Sequence, residues 1–131
     1  MLKRVVISVL TVDHLGETPI VILKEVGGDR TLPIWVGFLE AIGIASELQG
    51  IKSSRPLTHD LLKNIVGLTE VKVRKVEICD SKNNTYHALI HITHDGKEIS
   101  IDARLSDALA LSLRVNALFL QQKRSFKNPN R

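Results

Sequence analysis

At 131 residues the chain is long enough to bury a core of its own, and no repeat or linker divides it, so one domain is expected. A single cysteine, Cys79, excludes an intrachain disulfide and a cysteine-built metal cluster, and no apolar run is long enough for a membrane-spanning helix. The net charge of +4 permits an anionic partner without demanding one, while an aromatic content of only 4% argues against an extended platform of stacked rings for single-stranded nucleic acid.

Met1-Leu-Lys-Arg4 leads straight into a strand pattern rather than a signal peptide, which predicts a cytoplasmic protein with no membrane partner. Residues 3–12 are apolar at both parities, Val5, Ile7 and Val9 on one and Val6, Leu10 and Val12 on the other, the pattern of a strand covered on both faces. Turn residues at 13–18 precede a strand over 19–25, and Val26-Gly-Gly-Asp-Arg30 connects it by a hairpin to a strand over 31–36. Pro33 cannot donate to a ladder, so that strand belongs at a sheet edge or turns the position outward.

Gly37 breaks the strand. From residue 38 to 49, Phe38, Ile42, Ala45 and Leu48 form one apolar line with Glu40 and Glu47 off it, which predicts an amphipathic helix ended by Gly50. Gly43 inside it costs roughly 1 kcal/mol relative to Ala and points to close approach by another backbone. A second helix starts at Pro56 or Thr58, runs to about Val66 and closes at Gly67.

In the strand over 70–80 the apolar parity switches from Val71 and Val73 to Val76 and Ile78, which calls for a β-bulge near Arg74-Lys75. Cys79 there reads as a small hydrophobe. After a turn at 80–84, Tyr86, Ala88, Ile90 and Ile92 share one face of a strand over 85–93, and Asp95-Gly96 supplies the positive φ values of a tight hairpin. A strand over 97–102 follows, with Ile99 and Ile101 expected inward and Asp102 on the opposite face. A helix from about Ser106 to Arg114, capped by Ser106, and a short strand over 117–121 complete an α+β domain: a mixed, largely antiparallel sheet of about seven strands packed with three helices. The domain is assigned to residues 1–122, and residues 123–131, with Lys123, Arg124, Lys127 and Arg131, read as a basic tail.

No P-loop, dinucleotide fingerprint, Gly-x-Ser-x-Gly or His-Glu-x-x-His pattern occurs. His87 and His91 resemble a metal pair, yet four residues along a strand span about 13 Å, too far for one ion, so they read as partly exposed strand residues. His94 reads as a turn residue. Two polar corners remain: Arg55, Thr58, His59 and Asp60 at one helix start, and Asp102, Arg104, Ser106 and Asp107 at another. Each joins a cation able to hold phosphate to a carboxylate able to orient water or bind a hard cation such as Mg²⁺, and His59 adds a proton-transfer group. The same corners are equally read as well-capped helix starts locked by salt bridges such as Arg55–Asp102 or Arg104–Asp60.

Leu32-Pro-Ile-Trp-Val-Gly37, Glu40-Ala41, Arg55-Pro-Leu-Thr-His-Asp-Leu-Leu62 and Ile101-Asp-Ala-Arg-Leu-Ser-Asp-Ala-Leu-Ala-Leu111 resemble, in order, the signature blocks of the bifunctional nuclease domain family, across nearly the whole chain. The chain departs from that pattern at Leu105, where members usually carry proline, and where some relatives continue into an additional C-terminal segment the sequence stops in the basic tail. The resemblance implies a compact α+β fold, self-association with a dimer favoured, and degradation of both RNA and DNA. Cleaving both excludes an obligatory 2′-hydroxyl nucleophile, so water must attack. On this reading His59, Asp60, Asp102 and Asp107 are the catalytic candidates, while Arg55, Arg104 and Ser106 bind substrate. The cofactor is open, a divalent metal such as Mg²⁺ being compatible. Two rival readings stand beside it: a non-catalytic nucleic-acid-binding or regulatory module, and a self-associating scaffold that binds small anions.

Overall fold

The computed structural model describes residues 2–12, 17–80 and 86–122. Its strands are β1 (Leu2–Val12), β2 (Pro19–Glu25), β3 (Thr31–Trp35), β4 (Lys72–Asp80), β5 (Tyr86–His94), β6 (Lys97–Arg104) and β7 (Leu118–Gln122), and its helices α1 (Phe38–Gln49), α2 (Thr58–Leu68) and α3 (Leu105–Val115). The expected turns at 13–18 and 80–84 and the basic tail fall wholly or mostly outside the described residues. Among the described residues no helix is long and apolar enough to cross a membrane.

The strands form one sheet in the order β3-β2-β1-β7-β4-β5-β6, antiparallel throughout except where β7 runs parallel to β4. Pro33 lies on an edge strand, as its missing N–H requires. The parity switch in β4 is a register shift between Val73 and Lys75. Asp95 and Gly96, at φ 52° and 72°, make the hairpin between β5 and β6.

The double apolar parity of β1 has a different cause from the one expected. Its register also shifts, between Ile7 and Val9, so Val5 and Ile7 before the bulge and Leu10 after it all reach the same core. Val6 and Val9 are exposed, and no second layer covers them among the described residues. A bulge re-aims side chains by one residue, which turns a one-faced strand into an apparently two-faced sequence.

One layer of helix covers the sheet, and α3 is its centre. Leu105, Ala108, Leu109 and Leu111 are buried with Val76, Ile78, Ala88 and Phe119 of the sheet. The other two helices pack chiefly on α3. Their buried faces are narrow: α1 buries Ala41, Gly43 and Ile44, and α2 buries no residue. The apolar line of α1 is therefore exposed at Phe38, Ile42 and Leu48 and half-buried at Ala45. Small residues allow close helix approach and so make the contact, leaving the large apolar ones outside. Ile99 and Ile101 are also corrected, at 43% and 44% exposed. They pair with buried Ile92 and Ile90, but on an edge strand that α3 only partly reaches.

The sheet curls until its two edges face each other. Pro33 to Trp35 of β3, with Val36 and Gly37, line one side of a cleft of about 550 Å³, and Asp102 to Arg104 of β6, with Tyr86 and His87, line the other.

Candidate active site

Helix α2 begins after Leu57, whose backbone N–H donates to Asp60 Oδ2 at 2.9 Å. This acid three residues into the turn satisfies one of the free N–H groups of a helix start; Thr58 begins the helix, one of the two expected starts, but Leu57 and not Thr58 is the cap. The other oxygen, Asp60 Oδ1, accepts from Arg114 Nε at 2.6 Å. Arg114 also donates from Nη1 to the Ala110 carbonyl at 2.7 Å and from Nη2 to the Gly43 carbonyl at 3.0 Å. Its side chain is only 2% exposed, so one guanidinium ties α1, α2 and α3 together. The hydrogen bond from Arg114, joined by that from Leu57, holds Asp60 below the usual carboxylate value against the opposing effect of burial.

That junction fixes His59, the residue before Asp60. Its Nε2 lies 3.0 Å from Asp107 Oδ1, in the first turn of α3. Arg104, at the N-cap of α3, donates from Nε to Asp107 Oδ2 at 2.8 Å and from Nη2 to Oδ1 at 3.1 Å. Nη2 also reaches Glu40 Oε1 of α1 at 2.9 Å. Burial pushes the Asp107 carboxyl up, but the bonds from Arg104 and His59 outweigh it and keep the group below its usual range. Arg104 is raised in turn, first by its bond to Asp107. An ionised carboxylate only accepts, so His59 Nε2 carries the hydrogen and Nδ1 is left as the basic nitrogen. Nδ1 faces α1 at Gly43, where an added Cβ would lie 3.7 Å from it.

The two polar corners therefore meet, through His59 and Asp107. They border a cleft of about 310 Å³ whose walls are Leu39, Ile42, Gly43, Leu57 and Thr58. Arg104 lines both this cleft and the larger one. Its Nη1 has no acceptor among the described residues. Asp102 and Ser106 line only the larger cleft, so Asp102 does not face His59. Ser106 is buried and makes no capping hydrogen bond. Arg55 is exposed and lines neither cleft. The bridges Arg55–Asp102 and Arg104–Asp60 are replaced by Arg104–Asp107, Arg104–Glu40 and Arg114–Asp60.

Among the described residues no three His, Cys, Asp or Glu side chains converge to hold a metal ion. The oxygens of Asp60 and Asp107 are already taken by Arg114, Leu57, Arg104 and His59, so the cluster fits proton transfer better than a cation cage. Elsewhere, His91 lies between Glu77 and Ser100 on the other face of the sheet, at 3.0 Å from each. His87 stands apart from it and lines the larger cleft.

Arg114 is the residue that sequence reasoning missed. A cation in the last turn of a helix is ordinarily a solvated complement to the dipole, and nothing local marks this one as buried. The signal was Gly43: its neighbours are the side chains of His59 and Arg114, not the backbone expected there.

The model of the bifunctional nuclease domain matches residues 21–124. Over 106 residues the chain is 39% identical to uncharacterized proteins from two strains of Mycobacterium tuberculosis, a match covering 81% of this chain and 63% of those proteins. It is 30% identical over 105 residues to a protein of Oryza sativa subsp. indica named bifunctional nuclease 1, covering 78% of this chain and 32% of the rice protein. The bifunctional nuclease of Oryza minuta matches to the same extent. The chain thus spans about two thirds of the mycobacterial relatives and one third of the rice ones.

Proposed function

Because the chain belongs to the bifunctional nuclease domain family, we propose that it hydrolyses phosphodiester bonds of single-stranded RNA and DNA at the junction of α1, α2 and α3. The observation that carries this reading is the 3.0 Å contact between His59 and Asp107, made at a cleft that Arg104 also lines.

Water is the nucleophile, since an enzyme acting on DNA has no 2′-hydroxyl to use. His59 Nδ1 takes its proton as the water oxygen bonds to phosphorus, Asp107 holds the ring and balances the imidazolium that forms, and the phosphorus bond to the departing sugar oxygen breaks, that oxygen taking a proton from solvent. The two Nη1 N–H groups of Arg104 donate to the phosphate as charge builds on its oxygens, with exposed Arg55 supplying a second cation near the α2 start. Glu40 and Asp107 fix the Arg104 fork, so it is not reoriented during the reaction. Asp60 acts through Arg114 and Leu57 as a positioning residue, not by touching substrate. Asp102 and Ser106 meet the substrate in the larger cleft.

The test is purified protein offered matched RNA and DNA single strands, with cleavage of both expected. Cleavage of RNA alone would mean that the 2′-hydroxyl attacks, and cleavage of neither removes the reading.

The protein is also proposed to form a homodimer. Leu61, Ile65 and Leu68 recur along one face of α2 and are all exposed, and Phe38, Leu39 and Ile42 of α1 are exposed as well. Exposed apolar side chains of this kind are what a second copy covers in a homodimer.

A further inference from the structure

We infer that the cleft between the sheet edges is a nucleobase subsite, which holds one base of a single strand while Arg104 holds the adjoining phosphate. The inference rests on the nuclease reading for the identity of the strand, but its evidence lies in a different cleft.

At about 550 Å³ the space is in the range of small-molecule sites. Trp35, 55% exposed, stands on the β3 side, and half-buried Tyr86 on the β5 side. Two of the five aromatic residues of the chain thus share one wall system, although low aromatic content had argued against a stacking reader. A single base needs one ring, not a platform, and every base has a face that stacks on indole.

Charge separates base from backbone within this cleft. Asp102 is exposed and has no cation within ion-pair distance among the described residues. It repels phosphate and accepts hydrogen bonds from amino groups such as N4 of cytosine. Arg104 is the cation shared with the smaller cleft, where His59 and Asp107 lie. A strand therefore has one orientation: a base with an amino group against Trp35 and Asp102, its phosphate on Arg104, and the bond to be cut beside His59. The bound strand follows the seam between β3 and β6, where no third strand fills the gap among the described residues.

Trp35 is the only tryptophan, so its fluorescence reports the cleft directly. The His59→Ala protein is titrated with oligodeoxycytidylate, oligothymidylate, an abasic strand of equal length, cytidine monophosphate and inorganic phosphate. Quenching by oligodeoxycytidylate is expected, with the abasic strand bound roughly tenfold more weakly and phosphate alone causing none. By anisotropy of a labelled strand, Trp35→Ala loses about the same factor, and Trp35→Phe, which keeps a ring, loses less. Asp102→Asn brings the cytosine and thymine strands to equal affinity. Equal binding of abasic and base-bearing strands, or full affinity in Trp35→Ala, would overturn the subsite. Cytidine monophosphate binding as tightly as the strand would replace it with a mononucleotide pocket. Quenching without cleavage by the wild-type protein would sink only the hydrolytic reading, and cleavage that ignores the base would sink only this one.

Discussion

Arg114 Nε donates to Asp60 Oδ1 at 2.6 Å across 54 residues of sequence, and His59 stands next to that bond. The position of the candidate base is thereby set by an ion pair, buried on its arginine side and half-buried at Asp60, that lies outside both clefts. Asp60→Asn keeps an oxygen able to accept from Arg114 Nε but removes the charge, leaving a guanidinium, 2% exposed, whose nearest carboxylate is Glu47 at 3.9 Å. Breaking such a pair from one side is expected to cost roughly 3 kcal/mol, read as a lower denaturant midpoint with an unchanged slope. An unchanged midpoint would show that the pair does not hold the helices.

Acid should act through the same carboxylates. Asp60 and Asp107 both have folded-state pKa values below the usual 3.8. A lowered pKa means that the unfolded chain takes up protons first as pH falls. The stabilisation is therefore complete above the usual value and is lost as pH drops through the folded values. Melting temperature followed downward from neutral pH should on this account stay level until the carboxylate range and then fall. In Asp60→Asn the fall should be shallower, because one of the two contributing groups no longer titrates.

Gly43 separates stability from chemistry. Its φ is not in the left-handed region, and an added methyl would meet His59 Nδ1 at 3.7 Å and Arg114 Nη2 at 3.8 Å, ordinary contact distances. Gly43→Ala should therefore fold and gain about 0.5–1 kcal/mol from helix propensity. The methyl also crowds the nitrogen assigned to take the proton from water. Cleavage should drop while thermal stability rises; a rise in both would mean that Nδ1 works without that space.

Self-association is tested on α2. Leu68 is 85% exposed and lies seven residues after Leu61 on the same stripe. Leu61→Lys with Leu68→Lys should convert a dimer to a monomer by light scattering, with the far-ultraviolet spectrum retained, since neither side chain contributes to the core. A wild-type monomer at assay concentration would remove the proposal.

Local chemistry made part of this molecule legible before any coordinates. The left-handed C-cap at Gly50, the Asp95-Gly96 turn, edge-bound Pro33 and the β4 bulge each follow from a residue's own backbone or parity constraints. The same parity argument misread β1, because a bulge and a second covering layer leave the same trace when both parities are apolar. The apolar side of α3 is the packed one, but that of α1 is not. The line Phe38, Ile42 and Leu48 is the most hydrophobic side of α1, yet the packed side is Ala41, Gly43 and Ile44. Periodicity ranks faces by hydrophobicity and cannot tell a core from a surface awaiting a partner. In the site, the two polar corners were visible as corners, but their meeting depends on Arg114, whose burial is a property of the three-helix junction alone.

The most direct measurement is the initial rate of cleavage of a single strand by His59→Ala, Asp107→Asn and the double variant, each shown by thermal melting to be folded. Loss of a general base predicts a drop of about 10²–10⁴-fold in His59→Ala. Because Asp107 acts through the His59 ring and also holds the Arg104 fork, the double variant should be slower than His59→Ala by far less than the loss that Asp107→Asn causes alone. Cleavage at the wild-type rate in His59→Ala would contradict the account.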